Sequence, residues 1–346
     1  MKQISKTDEL QGGREATLGI EVTNRCNSFC SHCFVRAGIT KHSSLPVALV
    51  KNIISDGHDS NYRHLHITGG EPLLWDGLWE ALDYASDIGY QTIFLNTNGT
   101  QMTEDICRRL ASYRGLAISV SMEGPEALHD RIRGEGSFRQ TCECIEKVID
   151  AGIDLFIFTT VRKSLIQDLL NFAHETYNKF SGIHYLTLIQ LIRVSGDTFD
   201  LSKDLLEPED FLQLVQTAAL LNLCGFKTYI LSNPLAGVAS KLLEMPWIPR
   251  SHPLYRDGSI FVKANGDISL SHSSLSSFGK YEPGMFSRAL ASEAYLNSTA
   301  PDKATCPACK YTKLCQEKGM VRPSEWYRDM HPEKPYCRRV LDRAAA

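Results

Sequence analysis

Short β-rich runs alternate with longer amphipathic stretches from about residue 17, and this alternation limits the fold of the 346-residue chain more than any other feature. The pattern is typical of repeated βα units around a parallel sheet. Strands are predicted at 18–23, 64–68, 92–96, 117–121, 155–160 and 184–190. Helices are predicted at 46–56, 77–88, 103–111, 138–150, 165–179 and 208–223. An open doubly wound sheet and an incomplete (β/α)6 TIM-like barrel both fit this order, and both place reactive groups at the carboxyl ends of the strands.

The alternation stops near residue 225, where turn residues, a hairpin predicted around 264–267 and a group of cysteines follow. We therefore expect an α/β protein whose barrel-like domain is followed by a smaller domain. The predicted parts are an N-terminal lead at 1–16, a core at 17–225, the smaller domain at 226–343, and residues 344–346, which could be a cloning scar.

Composition excludes several classes of function. Lys and Arg number 37 against 40 Asp and Glu, a formal charge of −3, so neither nucleic acid nor an anionic membrane is expected as the main partner. The N-terminus lacks the apolar segment of a secretory signal, and no stretch runs 18 apolar residues without charge. We therefore expect a cytoplasmic protein, in which eleven cysteines indicate metal or redox chemistry.

Three cysteines, Cys26, Cys30 and Cys33, follow the first predicted strand in a CxxxCxxC arrangement. Three thiolates can bind three irons of a [4Fe–4S] cube and leave the fourth iron without a protein ligand. Two alternatives remain open at this point: a zinc site completed by His32 or His42, and loop cysteines that bind no metal.

Glycines and polar residues follow the next three predicted strands. The second strand leads into Gly69-Gly70-Glu71-Pro72, the third into residues 96–99, and the fourth into residues 121–124. Glycines let the backbone approach a ligand closely, and a carboxylate can accept hydrogen bonds from an ammonium group. A ligand site is therefore expected at the carboxyl edge of the sheet.

Together these motifs resemble the radical S-adenosylmethionine (SAM) superfamily, in which a GGEP-like segment lies along the amino group of SAM. The resemblance implies that Gly69, Gly70, Glu71, Pro72, Asn98 and Ser121 contact SAM. Ser119 points to the same strand face as Ser121, so one of the two is alternatively a packing residue. Arg133 is either a ligand of the SAM carboxylate or a surface residue. His32 stands where relatives often have an aromatic residue beside the adenine.

A second group of cysteines, near the C-terminus, has four members that suit a closed site, either zinc or another iron–sulfur cluster: Cys306, Cys309, Cys315 and Cys337. Their spacing resembles the SPASM or shortened Twitch domain of radical SAM enzymes. The resemblance implies one auxiliary [4Fe–4S] cluster with these four ligands. The cysteines of a second, inner cluster are replaced, by Ser271 or His272, Ala289 and Gly319.

The other cysteines, Cys107, Cys142, Cys144 and Cys224, fall on predicted helices and are interpreted as small buried hydrophobic residues. His272 lies in a serine-rich segment and is interpreted as a solvated loop residue, with a role as acid, base or ligand as the alternative.

The family resemblance implies reductive cleavage of SAM to a 5′-deoxyadenosyl radical, which abstracts hydrogen from the substrate. The subgroup favours modification of a ribosomally synthesised peptide or protein by crosslinking, epimerisation or oxidation. It also implies an electron donor such as flavodoxin or ferredoxin. Many relatives carry a fused leader-binding domain before the first strand, where this sequence has only some 17 residues, so we expect either a separate peptide-recognition protein or a substrate without a leader. The alternatives are a small-molecule substrate (sugar, nucleoside or tetrapyrrole) and, outside enzymes, a zinc-stabilised binding protein. No catalytic acid or base is predicted.

Overall fold

The computed structural model describes residues 16–33, 35, 37, 42–192, 200–231, 233–245, 258–274, 277–300, 306, 308–315 and 336–346. Gly319, one of the positions predicted to have lost a cluster ligand, lies outside the described residues. Within this part of the chain, no helix is both long enough and apolar enough to cross a membrane.

The described strands form one open sheet of nine strands: β1 (Thr17–Glu21), β2 (His64–Thr68), β3 (Thr92–Thr97), β4 (Leu116–Ser121), β5 (Asp154–Val161), β6 (Ile183–Gln190), β7 (Thr228–Ile230), β8 (Ile260–Val262) and β9 (Ile268–Ser269). Strands β1 to β7 are parallel and lie in chain order. Strand β8 returns to pair in parallel with β1, and β9 pairs antiparallel with β8.

The strands of the barrel are connected by helices α1 (Val47–Asp59), α2 (Leu78–Asp87), α3 (Glu104–Ala111), α4 (Glu126–Arg133), α5 (Ser137–Asp150), α6 (Lys163–Ile166), α7 (Leu169–Lys179), α8 (Pro208–Leu223) and α9 (Pro234–Leu242). The C-terminal part adds α10 (Met285–Ala291), α11 (Glu293–Thr299), α12 (Thr312–Cys315) and α13 (Tyr336–Ala344). Two short 3₁₀ helices lie at Pro72–Leu74 and Ser202–Asp204.

The predicted α/β fold class is confirmed, and its six strands are present, with ends that differ from the prediction by at most two residues. One cavity is lined by the ends of β2 to β6 and by the loops after β1, β7 and β9, which requires the sheet to curve as a partial barrel does. One further unit, β7 with α9, extends beyond residue 225. The predicted hairpin is present as β8 and β9. The proposed domain boundaries stay a prediction.

Alternate residues of each strand face the helices or the inside of the barrel. The outward face is aliphatic, as in the buried Leu18 and Ile20 of β1, which belong to the main core beneath the helices. The inward face carries a second, aromatic cluster that includes Phe156, Phe158 and Tyr229. This inner cluster packs inside the barrel, and its Phe158 also lines the cavity at the carboxyl edge.

The C-terminal helix α13 is held against the barrel helices. It packs on α8 and α9, with Tyr336 fully buried against Phe211. Two ion pairs lie beside this contact: Arg339 with Glu207 at 3.2 Å and Arg343 with Glu209 at 2.6 Å. The end of the chain therefore supports the barrel directly.

Three of the four isolated cysteines, Cys107, Cys142 and Cys144, are buried as predicted. The interpretation of Cys224 as buried is wrong, because this residue is exposed at the C-terminal end of α8. Leu220 and Leu223 are also exposed there, so the last turn of α8 presents residues to solvent that the apolar pattern assigns to the core.

A first prediction concerns Gly19, which faces the inside of the barrel on β1. A Cβ atom at this position would lie 2.1 Å from the ring of Phe261 on β8. Gly19→Ala should therefore lower the free energy of unfolding by about 1–3 kcal/mol in denaturant titrations. The control is Gly237→Ala in α9, where a Cβ meets no atom within 4 Å. Equal losses in the two variants would contradict the close β1–β8 contact, and Phe261→Leu should partly rescue Gly19→Ala.

Candidate active site

A cavity of about 230 Å³ opens at the carboxyl edge of the parallel strands. The loop after β1 supplies Cys26, Cys30 and Cys33, and the turn after β2 supplies Gly69 and Gly70. The ends of the next four strands line the remaining walls together with residues after β7 and β9: Asn96, Thr97, Asn98, Ser121, Glu123, Phe158, Thr160, Ile189, Gln190, Leu231, Asn233, His272 and Ser273. The sequence motifs that follow successive strands thus converge on one space.

The first half of the cysteine loop is held by Asn98, which is 9% exposed. Its Nδ2 donates to Asn27 Oδ1 at 2.8 Å and lies 3.7 Å from the sulfur of Cys26. The backbone N–H of Ser28 also donates to that sulfur at 3.4 Å. Asn98 was predicted to contact SAM, and the structure places it at the cavity with its side chain turned to the cysteine loop.

Gly69 and Gly70 are required because two backbone segments meet at this point. Gly70 N–H donates to Thr23 O at 2.6 Å, and Glu71 N–H donates to Arg25 O at 2.8 Å. A Cβ on Gly69 would lie 2.6 Å from Thr23 O, and one on Gly70 would lie 2.2 Å from Arg25 O. Backbone atoms cannot yield as side-chain ends do, so larger residues would push the cysteine loop away from β2.

The carboxylate of Glu71 is fully buried and turned away from the cavity. One oxygen accepts from Thr97 Oγ1 at 2.9 Å and from Leu73 N at 3.2 Å, and the other accepts from Asn98 N at 2.8 Å. Burial raises the pKa of this carboxyl group, although its three donors oppose the shift. Pro72 starts the 3₁₀ helix that follows. Glu71 and Pro72 therefore fix the turn that carries the two glycines.

Ser119 and Ser121, which the sequence could not separate, differ in their surroundings. Ser119 is 2% exposed and donates to the side-chain oxygen of Asn96 on β3. Ser121 is half-buried and lines the cavity. Of the two serines, Ser121 is thus the one that a ligand in the cavity can reach.

A buried carboxylate, Glu123, contacts groups from three elements. Its Oε1 accepts from Arg133 Nε at 2.9 Å and Nη2 at 2.6 Å, and lies 3.4 Å from His32 Nε2. Its Oε2 accepts from the backbone N–H of Thr160 at 3.0 Å. Burial alone would raise the pKa of Glu123, but His32 and Arg133 beside it hold this pKa well below its usual range. Sequence reasoning missed Glu123, since nothing in the Ser-Met-Glu-Gly segment distinguishes a buried hub from a turn.

The three loop cysteines are partly buried at one wall of the cavity, as ligands of a shared cluster should be. Burial raises the pKa of all three thiols, that of Cys26 to about 11, so binding of a metal must release their protons. Among the described residues, no three His, Cys, Asp or Glu side chains are grouped tightly enough to hold one metal ion. A cubane cluster instead takes each thiolate on a separate iron.

The segment after β9 reaches the cavity because β8 pairs with β1. Ser271 Oγ accepts from Ser274 N at 3.0 Å and lies 3.1 Å from Ser273 Oγ. This buried turn directs His272 to the cavity wall, where its ring centroid lies 5.1 Å from that of Phe261. The interpretation of His272 as a solvated loop residue is therefore wrong.

The C-terminal cysteines are half-buried in the described part of the chain. Thr312 Oγ1 donates to Cys306 O at 2.6 Å and to Cys309 O at 2.9 Å, which forms a tight turn between them. Cys315 ends α12 and Cys337 lies on α13, and both helices pack against α9. The helices that carry Cys315 and Cys337 are therefore both positioned by α9.

Residues 20–174 match the family model described as the Radical SAM superfamily. The matched segment begins within β1 and ends within α7, and it carries the CxxxCxxC loop, the glycine turn and the ends of β2 to β5. The match therefore agrees with the geometry of the site.

Among curated relatives, mycofactocin maturase MftC of Mycolicibacterium smegmatis is 28% identical over 170 residues, 48% of this chain and 43% of that protein. The AdoMet-dependent heme synthase of Nitratidesulfovibrio vulgaris is 32% identical over 146 residues, 41% and 40% of the two chains. The subtilosin biosynthesis protein AlbA of Bacillus subtilis is 28% identical over 162 residues, 46% and 35%. The match spans about half or less of each relative.

Two of the similar solved structures cover most of the chain. Native anSMEcpe with bound AdoMet and a peptide has a TM-score of 0.71 at 17% identity, covering 95% of each chain. SuiB of Streptococcus suis bound to its precursor peptide SuiA has a TM-score of 0.69 at 16% identity, covering 92% of this chain and 73% of that one. At these identities the similarity shows the fold.

A second prediction concerns Glu21, which faces the barrel interior and whose pKa burial raises to about 7. The unfolded chain loses this proton near pH 4.5, so between pH 4.5 and 7 the native state holds more protons and stability falls as pH rises. Glu21→Gln should therefore be more stable than wild type at pH 8, by up to about 3 kcal/mol, and equal near pH 4.5. Urea titrations across this range measure the difference. A constant difference would contradict the prediction, and the exposed control Glu80→Gln should match wild type throughout.

Proposed function

We propose that the protein is a radical SAM enzyme that modifies a ribosomally synthesised peptide or protein. The observation that carries the proposal is the convergence of three cysteines, a glycine turn and the polar ends of β3 and β4 on one cavity within a radical SAM domain. The remaining walls belong to β5, β6 and the segments after β7 and β9, and we assign them to the substrate.

In this proposal Cys26, Cys30 and Cys33 hold a [4Fe–4S] cluster with one open iron. The SAM site comprises Gly69, Gly70, Glu71, Pro72, Asn98 and Ser121. Gly69, Gly70, Asn98 and Ser121 line the cavity, whereas Glu71 and Pro72 contribute by fixing the glycine turn. When bound, the cluster and SAM supply a 5′-deoxyadenosyl radical that abstracts hydrogen from an otherwise unreactive carbon.

The protein's own contribution is orientation and exclusion of water. Phe158, Ile189 and Leu231 give the substrate side of the cavity apolar walls. Gln190 accepts a hydrogen bond from Asn233 Nδ2 at 2.7 Å, which leaves the buried Nε2 of Gln190 without a partner among the described residues. An amide donor beside apolar walls suits a carbonyl oxygen, the acceptor that every peptide unit provides.

The choice of a peptide substrate also rests on the named relatives and neighbours. MftC is a maturase, AlbA acts in the biosynthesis of a bacteriocin, and SuiB and anSMEcpe were solved with peptides. Because the chain covers only part of its curated relatives, their activities enter only as support for this proposal.

We further propose that Cys306, Cys309, Cys315 and Cys337 bind one auxiliary [4Fe–4S] cluster that transfers electrons or supports the fold. We also propose that the boundary between the core and the smaller domain lies at about residue 225. An electron donor such as flavodoxin or ferredoxin, a separate peptide-recognition protein and a cytoplasmic location complete the proposal.

The test is the triple variant Cys26→Ala, Cys30→Ala, Cys33→Ala, purified and reconstituted without oxygen. It should form no 5′-deoxyadenosine from SAM and reductant, because no open iron remains to bind SAM. Its iron content should fall to about four atoms per chain from about eight in the wild type, the content of one and two cubane clusters. The exposed Cys224→Ala is the control and should behave as wild type.

Zinc in place of iron in the wild type, or 5′-deoxyadenosine from the triple variant, would overturn the proposal. A product derived from a sugar, nucleoside or tetrapyrrole and not from a peptide would overturn the peptide assignment while retaining the radical chemistry.

A further inference from the structure

The side chain of His32, between Cys30 and Cys33, is only 10% exposed and meets a polar group at each ring nitrogen. Nε2 lies 3.4 Å from Glu123 Oε1, and Nδ1 lies 3.2 Å from Arg162 Nη2. A guanidinium group can only donate, so Nδ1 accepts and the ring proton is on Nε2, facing the carboxylate. Both nitrogens are therefore hydrogen-bonded, as a buried imidazole requires.

Arg162 follows β5 directly and is 3% exposed, although it carries a positive charge. Its Nη1 lies 3.2 Å from Asp204 Oδ2, and its Nη2 contacts His32. A buried cation is stable only while such partners remain. Glu123, His32, Arg162 and Asp204 thus form a continuous line from the end of β4, across the cysteine loop, to the 3₁₀ helix before α8.

Different side chains consequently hold the two halves of the cysteine loop. Asn98 holds its first half at Asn27 and Ser28, next to Cys26. The second half is attached by His32, with a backbone hydrogen bond from Ser31 N to Ile132 O at 3.2 Å. An apolar ring at position 32 could fill the same space but would make neither polar contact.

We propose that His32 and Arg162 form a clamp that holds Cys30 and Cys33 in place for the iron–sulfur cluster and slows its loss. The inference rests on the proposed function, because it assumes that the loop binds this cluster. His32 acts through the neighbouring cysteines and is a positioning residue. Its replacement should therefore affect cluster retention more than the stability of the barrel.

The test measures transfer of iron to a chelator from the anaerobically reconstituted full-length protein. Iron that the wild type releases and the triple cysteine variant does not is assigned to the cluster on the cysteine loop. His32→Leu and Arg162→Met should each speed this release by about 10-fold, the usual effect of losing a group that orients a ligand. The double variant should release iron no faster than the faster single variant, since both remove one clamp.

Rescue separates positioning from general destabilisation. The amide of His32→Gln can donate to Glu123 and accept from Arg162, so this variant should restore most of the wild-type release rate and the wild-type EPR spectrum of the reduced cluster. The control His174→Leu, on the exposed surface of α7, should match wild type. If His32→Leu does not fold, Arg162→Lys gives the same comparison, because it keeps a cation near Asp204 but loses the guanidinium fork.

Wild-type release rates in both His32→Leu and Arg162→Met would overturn the clamp, as would a purely additive double variant. Unchanged iron content in the triple cysteine variant would instead overturn the proposed function. The two failures are therefore distinguishable within one experiment.

Discussion

Two backbone hydrogen bonds, from Gly70 to Thr23 and from Glu71 to Arg25, join the start of the cysteine loop to the turn after β2. They extend the parallel pairing of β1 and β2 beyond the last regular pair, Glu21 with Thr68. The cysteine loop thus begins as a continuation of the sheet. Only glycine permits this approach, since a side chain at either position would collide with carbonyl oxygens and not with movable atoms. The sheet therefore sets the position of Cys26.

Two buried carboxylates then connect the other strand ends around the cavity. Glu71 accepts from Thr97 and Asn98 and so ties the turn after β2 to the end of β3. Glu123 accepts from Arg133, His32 and the backbone of Thr160, which joins α4, the cysteine loop and β5. Each carboxylate would be costly to bury alone, and several donors offset that cost. Their hydrogen bonds connect adjacent strand ends to one another.

The sequence predicted most of the barrel because its strands and helices carry clear periodic patterns. The unit of β7 with α9 was missed because it has only three strand residues between Gly225 and Asn233, too few to show an alternating pattern of apolar and polar residues. The site was predicted in outline by the motifs after β1 to β4. The sequence did not predict the direction of each side chain, because partners on neighbouring strands orient the side chains of Glu71 and Ser119. The interpretation of Cys224 as buried was wrong for a local reason, because the end of a helix can expose residues that its sequence pattern marks as apolar.

The position of His272 depends on contacts far apart in the chain, because the loop that carries it reaches the cavity only through the pairing of β8 with β1. Burial lowers the pKa of His272 to about 3, and the positive charge of Lys263 and the nearby His66 lower it further. At neutral pH this wall of the cavity thus presents an uncharged imidazole. On the other side, Arg133 and Glu123 neutralise each other. The side chains of these two walls therefore present hydrogen-bonding groups and apolar rings without net charge. An uncharged group loses less hydration free energy than a charged one on entering such a space.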